Sequence, residues 1–127
     1  MSYEFILPLY GVTKKGAIAL NWHRNAYYQS SNAAKKKFKK LIQEQLDQFD
    51  IIQTPIKIKY TYYAQRNNIP DLDNFVAVAV AREFFQDALV ESGLIEDDNV
   101  NFIIASSERY GGIDKNNPRV EAEVIEV

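Results

Sequence analysis

Two short acidic segments carry the densest chemistry in this sequence. Asp71-Leu72-Asp73-Asn74 follows Pro70, and Glu96-Asp97-Asp98-Asn99 follows shortly after Gly93. Asp71 and Asp73 are two positions apart, so extended backbone sends both carboxylates to one side. Brought together, the two segments would gather three or four carboxylates with no lysine close in sequence. Such a group repels itself unless a cation neutralises it. Hard divalent ions such as Mg²⁺ bind carboxylate oxygen and keep several waters. A site of that type suits phosphodiester hydrolysis, in which the metal generates hydroxide and stabilises the leaving oxygen. Each segment also has a plainer reading. Asp71 or Asp73 could cap a helix, and Glu96 to Asn99 could be a solvated turn.

Other chemistries are harder to build from these residues. Phe75 and Val76 break the calcium-loop pattern that Asp71 and Asp73 would begin. Neither GxxxxGK[ST] nor GxGxxG occurs. The absence of cysteine removes disulfides, zinc-thiolate sites, iron–sulfur clusters and thiol nucleophiles. A Ser-His-Asp triad would have to use the single histidine, His23, and a lone histidine is more often structural.

The element between the acidic segments decides whether they can meet. From Leu72 to Glu91 the apolar residues Phe75, Val76, Val78, Ala79, Phe84, Phe85, Ala88 and Leu89 predict a helix, with Gly93 as its cap. A helix of about 20 residues spans about 30 Å, so the segments meet only if the chain doubles back. Ahead of it, Tyr3 to Tyr10 reads as a strand, Gly11 to Gly16 as a turn-rich connection, and Ala17 to Tyr28 as loop.

Ser30-Ser31-Asn32 offers N-caps to a helix over Ala33 to Phe49. Its core stripe is Ala34, Phe38, Leu41, Ile42, Gln45, Leu46 and Phe49. Lys35, Lys36, Lys37, Lys39 and Lys40 fall off that stripe, near the expected helix start. Positive charge there opposes the helix dipole, which hints at a binding role. Pro55 to Ala64 alternates, with Lys57 and Lys59 on its outer face. Asn101 to Ser106 is a short strand, Tyr110 to Pro118 a turn region, and Arg119 to Val127 a last alternating strand. The expected fold is a single small α+β domain, residues 1–127, with a mixed sheet of about four strands packed with two helices.

Size and charge fit that expectation. The chain has 127 residues, 46% hydrophobic and 25% charged, enough for one globular domain. The longest apolar run, Phe75 to Ala81, is far short of the roughly 18 residues a membrane helix needs. The first residues lack the basic start of a signal peptide. The expectation is a soluble cytoplasmic protein with no membrane partner. The net charge of −2 divides unevenly: residues 1–66 hold eleven Lys/Arg and four Asp/Glu, a balance of +7, and residues 67–127 hold four and thirteen, a balance of −9. A polyanion partner plus a cation site fits this asymmetry, as does cancellation when the halves fold together.

Pro70-Asp71-Leu72-Asp73-Asn74 resembles the DLDN signature of the RusA family of Holliday junction resolvases. Phe85-Gln86-Asp87-Ala88-Leu89, continuing through Gly93 to Asp97-Asp98, is similar to that family's later FDAL…G…DD segment. Leu7-Pro8, Leu20-Asn21, Tyr27-Tyr28 and the lysine-rich helix extend the resemblance over most of the chain. It implies a homodimeric, Mg²⁺-dependent endonuclease of phage or prophage type, with Mn²⁺ as a substitute ion. Such enzymes bind four-way DNA junctions and cut two strands symmetrically, in recombination and repair. By position Asp71, Asp73 and Asp98 match the catalytic carboxylates, and Asp97 joins them as a metal ligand. Lys35, Lys36, Lys37, Lys39, Lys40, Lys57, Lys59, Arg66 and Arg82 are the candidate DNA contacts.

The sequence departs from the family in two ways: the interval from Asp73 to Asp97 is longer by about one and a half helical turns, and one functional position differs. A lysine expected about one helical turn after DxDN is replaced by the run Phe75-Val76-Ala77-Val78-Ala79. Arg82 is the nearest cation, and an arginine holds phosphate but does not readily donate a proton. The departure leaves two alternatives open: a relative that binds branched DNA without cutting it, and a small protein–protein interaction domain.

Overall fold

The apolar positions of three alternating segments meet on one face of a four-stranded sheet. A computed structural model of the chain describes residues 2–8, 28–53, 55–64 and 72–127, with backbone alone for residues 28–32 and 72–77. The elements are β1 (Ser2–Pro8), α1 (Tyr28–Leu41), α2 (Gln43–Leu46), β2 (Ile56–Ala64), α3 (Leu72–Glu91), β3 (Ile103–Ile113) and β4 (Arg119–Glu126). The sheet order is β1-β4-β2-β3. β4 lies antiparallel to both β1 and β2, and β2 lies parallel to β3. This is the mixed α+β arrangement expected from the sequence.

Alternation puts Phe5, Leu7, Ile58, Tyr60, Val120, Ala122 and Val124 into one core with the helices. α3 lies on the sheet, with the Phe85 ring 5.0 Å from Phe5 and 6.3 Å from Tyr60. α1 packs on α3 through Phe38 and Phe84, edge to face at 5.7 Å. Such pairs add about 0.5–1.5 kcal/mol beyond the area they bury. Covered by the sheet on one side and by α1 on the other, α3 buries Val78, Val80, Ala81, Phe84, Phe85, Ala88 and Leu89. Burial pushes the Tyr60 phenol up, against a hydrogen bond donated by Gln86 Nε2 to its hydroxyl. Among the described residues no helix is long and apolar enough to cross a membrane.

Four local expectations are corrected. α1 begins at Tyr28, so Ser30, Ser31 and Asn32 lie inside the helix, Lys35, Lys36 and Lys37 fall mid-helix, and Lys39 and Lys40 fall in its last turn, where the dipole favours them. The charge-placement argument for a binding role therefore lapses. The buried row runs Ala34, Phe38, Ile42, Leu46, while Leu41 is 50% exposed because it sits about 100° round the helix from Ile42. Gln45 does not enter the core. Its amide accepts from the Ile6 backbone N–H at 2.6 Å and donates to the Ile6 carbonyl at 2.9 Å, closing the free edge of β1.

The fourth correction concerns Gly111 and Gly112, which extend β3 rather than turn it. β3 carries one extra residue against β2 near each end, and Gly111 is the extra residue between Tyr110 and Gly112. A Cβ on Gly111 would lie 2.6 Å from Thr61 Cγ2 and 2.8 Å from the Tyr63 ring. That ring is held in place by Arg119, whose guanidinium stacks on it at 4.2 Å. Gly111→Ala should therefore destabilise the fold by about 1–3 kcal/mol, the usual cost of overpacking. Equilibrium urea unfolding checks this, and an unchanged midpoint would show that the bulge has room to spare.

Candidate metal and nucleic-acid site

Asp73 is the second residue of α3, and Asp71, just ahead of it in sequence, lies outside the described residues. At the other end α3 stops in a closed cap. Gly93, at φ +80°, donates its N–H to the Val90 carbonyl at 3.0 Å, and Leu94 donates to the Leu89 carbonyl at 3.0 Å. This paired closure needs a left-handed residue, which glycine supplies at no steric cost. Leu94 and Ile95 then drop into the core.

The chain emerges at Glu96 as an exposed turn held by its own side chains. Asp97 Oδ1 accepts from the Asp98 backbone N–H at 2.8 Å, and Asp97 Oδ2 accepts from Asn99 Nδ2 at 3.1 Å. Asn99 Oδ1 accepts from the Asn101 N–H at 2.9 Å. Both Asp97 oxygens are thus engaged in the turn, as the plainer reading of this segment expected. The Asp98 carboxylate is exposed and has no partner among the described residues.

Asp73 and the turn at residues 96–99 do not meet within one chain. β2 and β3 run parallel, so α3 is the crossover that carries the chain back along the sheet. Asp73 sits at the end where β2 finishes, and Asp97 and Asp98 sit where β3 begins. The 20 residues of α3 hold these ends about 30 Å apart. Among the described residues no three acidic or histidine side chains are close enough to share a metal. Asp73 and Asp98 of one chain, about 30 Å apart, therefore do not bind one ion together.

The candidate cations fall into separate groups. Lys35 bridges to α3, with Nζ 3.0 Å from Asp87 and 3.6 Å from Glu83, and Lys39 reaches Glu91 at 3.7 Å. Partial burial opposes the Lys35 charge, but the hydrogen bond and charge of Asp87 outweigh it and raise its pKa above the usual lysine value. Lys36, Lys37 and Lys40 are exposed and have no partner among the described residues. Arg82 is not a spare cation. It donates from Nη1 to Glu108 Oε1 at 2.8 Å, tying α3 to β3, and lies about 14 Å along the helix from Asp73. Arg66 lies outside the described residues.

No protein-family model matches the chain, and no curated protein matches it in sequence.

Lys57 and Lys59 lie on the far face of the sheet from α1. Among the described residues no element covers that face, and the sequence alone does not single it out as a feature. Glu4, Ile6, Lys59, Thr61, Arg109 and Glu123 are among the residues around a cavity of about 470 Å³ on it. Arg109 Nε donates to Thr61 Oγ1 at 3.0 Å there. Strand register sets Glu4 opposite Glu123 and Glu123 opposite Lys59, so acids and bases share this face. A DNA backbone is drawn to positive charge, which α1 carries with no acid of its own and which this face mixes with glutamates.

Proposed function

We propose that the chain is a Mg²⁺-dependent endonuclease directed to branched DNA, acting as a homodimer whose carboxylate site is shared between two copies. The observation that carries this reading is the placement of the acidic segments at the two ends of one helix. Asp73 lies at the start of α3, Asp98 lies beyond its Gly93 cap, and the helix holds them apart. Two copies set antiparallel would bring Asp71 and Asp73 of one toward Asp98 of the other, at both ends of the assembly. Two such sites related by a two-fold axis suit symmetric cutting of two strands. Lys36, Lys37 and Lys40, exposed and without a partner among the described residues, supply backbone contacts, which position DNA without reading its sequence.

A second reading is a relative that binds junctions without cutting them. It is favoured by Arg82, whose bond to Glu108 leaves the missing lysine without a replacement. One experiment separates the two. The purified chain is incubated with an end-labelled four-way junction, with Mg²⁺ and with EDTA. Paired symmetric nicks that require Mg²⁺ are the expected result. A shifted but uncut junction would replace the first reading with the second, and an unshifted junction would remove both.

A further inference from the structure

Among the described residues Thr61 is the one buried polar side chain, at 7% exposed, and it does not lie in the core. It belongs to the face of the sheet away from the helices. There the register sets one row of Ile6, Glu121, Thr61 and Arg109 beside a second row of Glu4, Glu123, Lys59 and Ser107. Thr61 Oγ1 accepts from Arg109 Nε at 3.0 Å, and its hydroxyl proton has no acceptor among the described residues. Thr61 and Ser107 are short, and the longer side chains around them leave the cavity of about 470 Å³. Small-molecule sites occupy about 300–1,000 Å³. Glu4, Ile6, Lys59, Ser107 and Arg109 are exposed, so the cavity opens to solvent.

Charge is divided across this cavity. β1 and β4 bring Glu4, Glu121 and Glu123 to it, and β2 and β3 bring Lys59 and Arg109. Glu121 is already held, since Arg119 Nε and Nη2 donate to its Oε2 at 3.1 and 2.9 Å. The other four charges have no ion-pair partner among the described residues. Lys59 even stands opposite Glu123, where opposite charges ordinarily pair, yet no ion pair joins them. A polyanion would meet Glu4 and Glu123, and a polycation would meet Lys59 and Arg109. An uncharged molecule would strip water from all four without replacing it. A molecule carrying both charges satisfies each side.

Its size follows from the sheet. From β1 to β3 is three strand spacings, about 14 Å. A hydrogen bond at each end takes about 3 Å, which leaves about 8 Å for the ligand. Extended chain covers about 3.5 Å per residue, so the two termini of a dipeptide fit that gap. We propose that the cavity binds a dipeptide-sized zwitterion. Its carboxylate lies on Arg109 and the Thr61 hydroxyl, with Lys59 beside them, and its ammonium lies on Glu4 and Glu123. With Nε engaged by Thr61, the guanidinium is fixed in orientation and keeps both Nη groups for the carboxylate. Ile6, 53% exposed, offers contact to an apolar side chain. The site goes beyond the DNA reading and does not depend on it.

Isothermal titration calorimetry of the full chain with the dipeptide Gly-Leu tests the proposal. N-acetyl-Gly-Leu and Gly-Leu amide are the probes that each lack one charge. Gly-Leu should bind saturably, and each blocked form at least about tenfold more weakly, the worth of one charge-assisted contact. Arg109→Gln and Glu123→Gln should each weaken Gly-Leu at least about tenfold, with unchanged circular dichroism spectra. Their effects should separate on the blocked probes. Glu123→Gln should not weaken N-acetyl-Gly-Leu, which has no ammonium, and Arg109→Gln should not weaken the amide, which has no carboxylate. Lys115→Gln, in the turn between β3 and β4, should change nothing. No saturable binding of Gly-Leu, blocked forms that bind as well as the free dipeptide, or variants that shift all three probes equally would each overturn the proposal. None of these readouts uses DNA, so their failure is distinct from a failure to cut junctions.

Discussion

Asp73→Asn and Asp98→Asn should each abolish junction cleavage, and a mixture of the two inactive chains should recover part of it. Each substitution removes a carboxylate assigned to the metal, and the expected loss exceeds about 100-fold, since even groups that merely support a ligand are worth about 10–100-fold. Recovery follows from geometry. α3 keeps Asp73 and Asp98 of one chain about 30 Å apart, so a shared site takes them from different copies. In a mixed dimer one site then carries both substitutions and the other carries neither. With free exchange half of the dimers are mixed, so about a quarter of the sites are intact. The product should be single nicks rather than paired cuts, because only one site per mixed dimer works. If both residues served the same site from one chain, every site in the mixture would be damaged and no activity would return.

How far these arrangements are legible in the sequence depends on how local their causes are. α3 is readable from Leu72 to Glu91 because its apolar residues and the Gly93 cap act within a few residues of one another. β4 is readable because Val120, Ala122 and Val124 alternate with glutamates. Gly111 and Gly112 mislead, since a glycine demanded by close approach to Thr61 looks the same in sequence as one demanded by a turn. Leu41 misleads because i+3 and i+4 spacings both point toward a core until the neighbouring helix chooses one.

The candidate site divides the same way. That Asp97 sits in a self-bonded turn is foreseeable from its neighbours Asp98 and Asn99. That Lys35 and Lys39 face Glu83, Asp87 and Glu91 is not, because it depends on α1 lying across α3. The open face escapes a sequence reading for the same reason. Glu4, Lys59 and Glu123 belong to three strands far apart along the chain, and sheet order alone makes them neighbours.

Replacing Lys36, Lys37 and Lys40 together with glutamine should flatten the salt dependence of junction binding by up to about 2.7 units of slope per chain, about 0.9 for each phosphate no longer neutralised. Affinity should fall alike for junction and duplex, because backbone contacts carry no sequence information. Two controls give the prediction its edge. Lys35→Gln removes charge from the same helix, but Lys35 is held by Asp87 and Glu83 and rests 5.9 Å over the Phe84 ring. It should lower stability and leave the slope almost unmoved. Lys57→Gln with Lys59→Gln removes charge from the open face, where Glu4 and Glu123 already oppose phosphate. If that pair flattened the slope and the α1 substitutions did not, DNA would lie on the opposite side of the sheet from α1. The cationic end of α1 would then be explained by its dipole and its bridges to α3 alone.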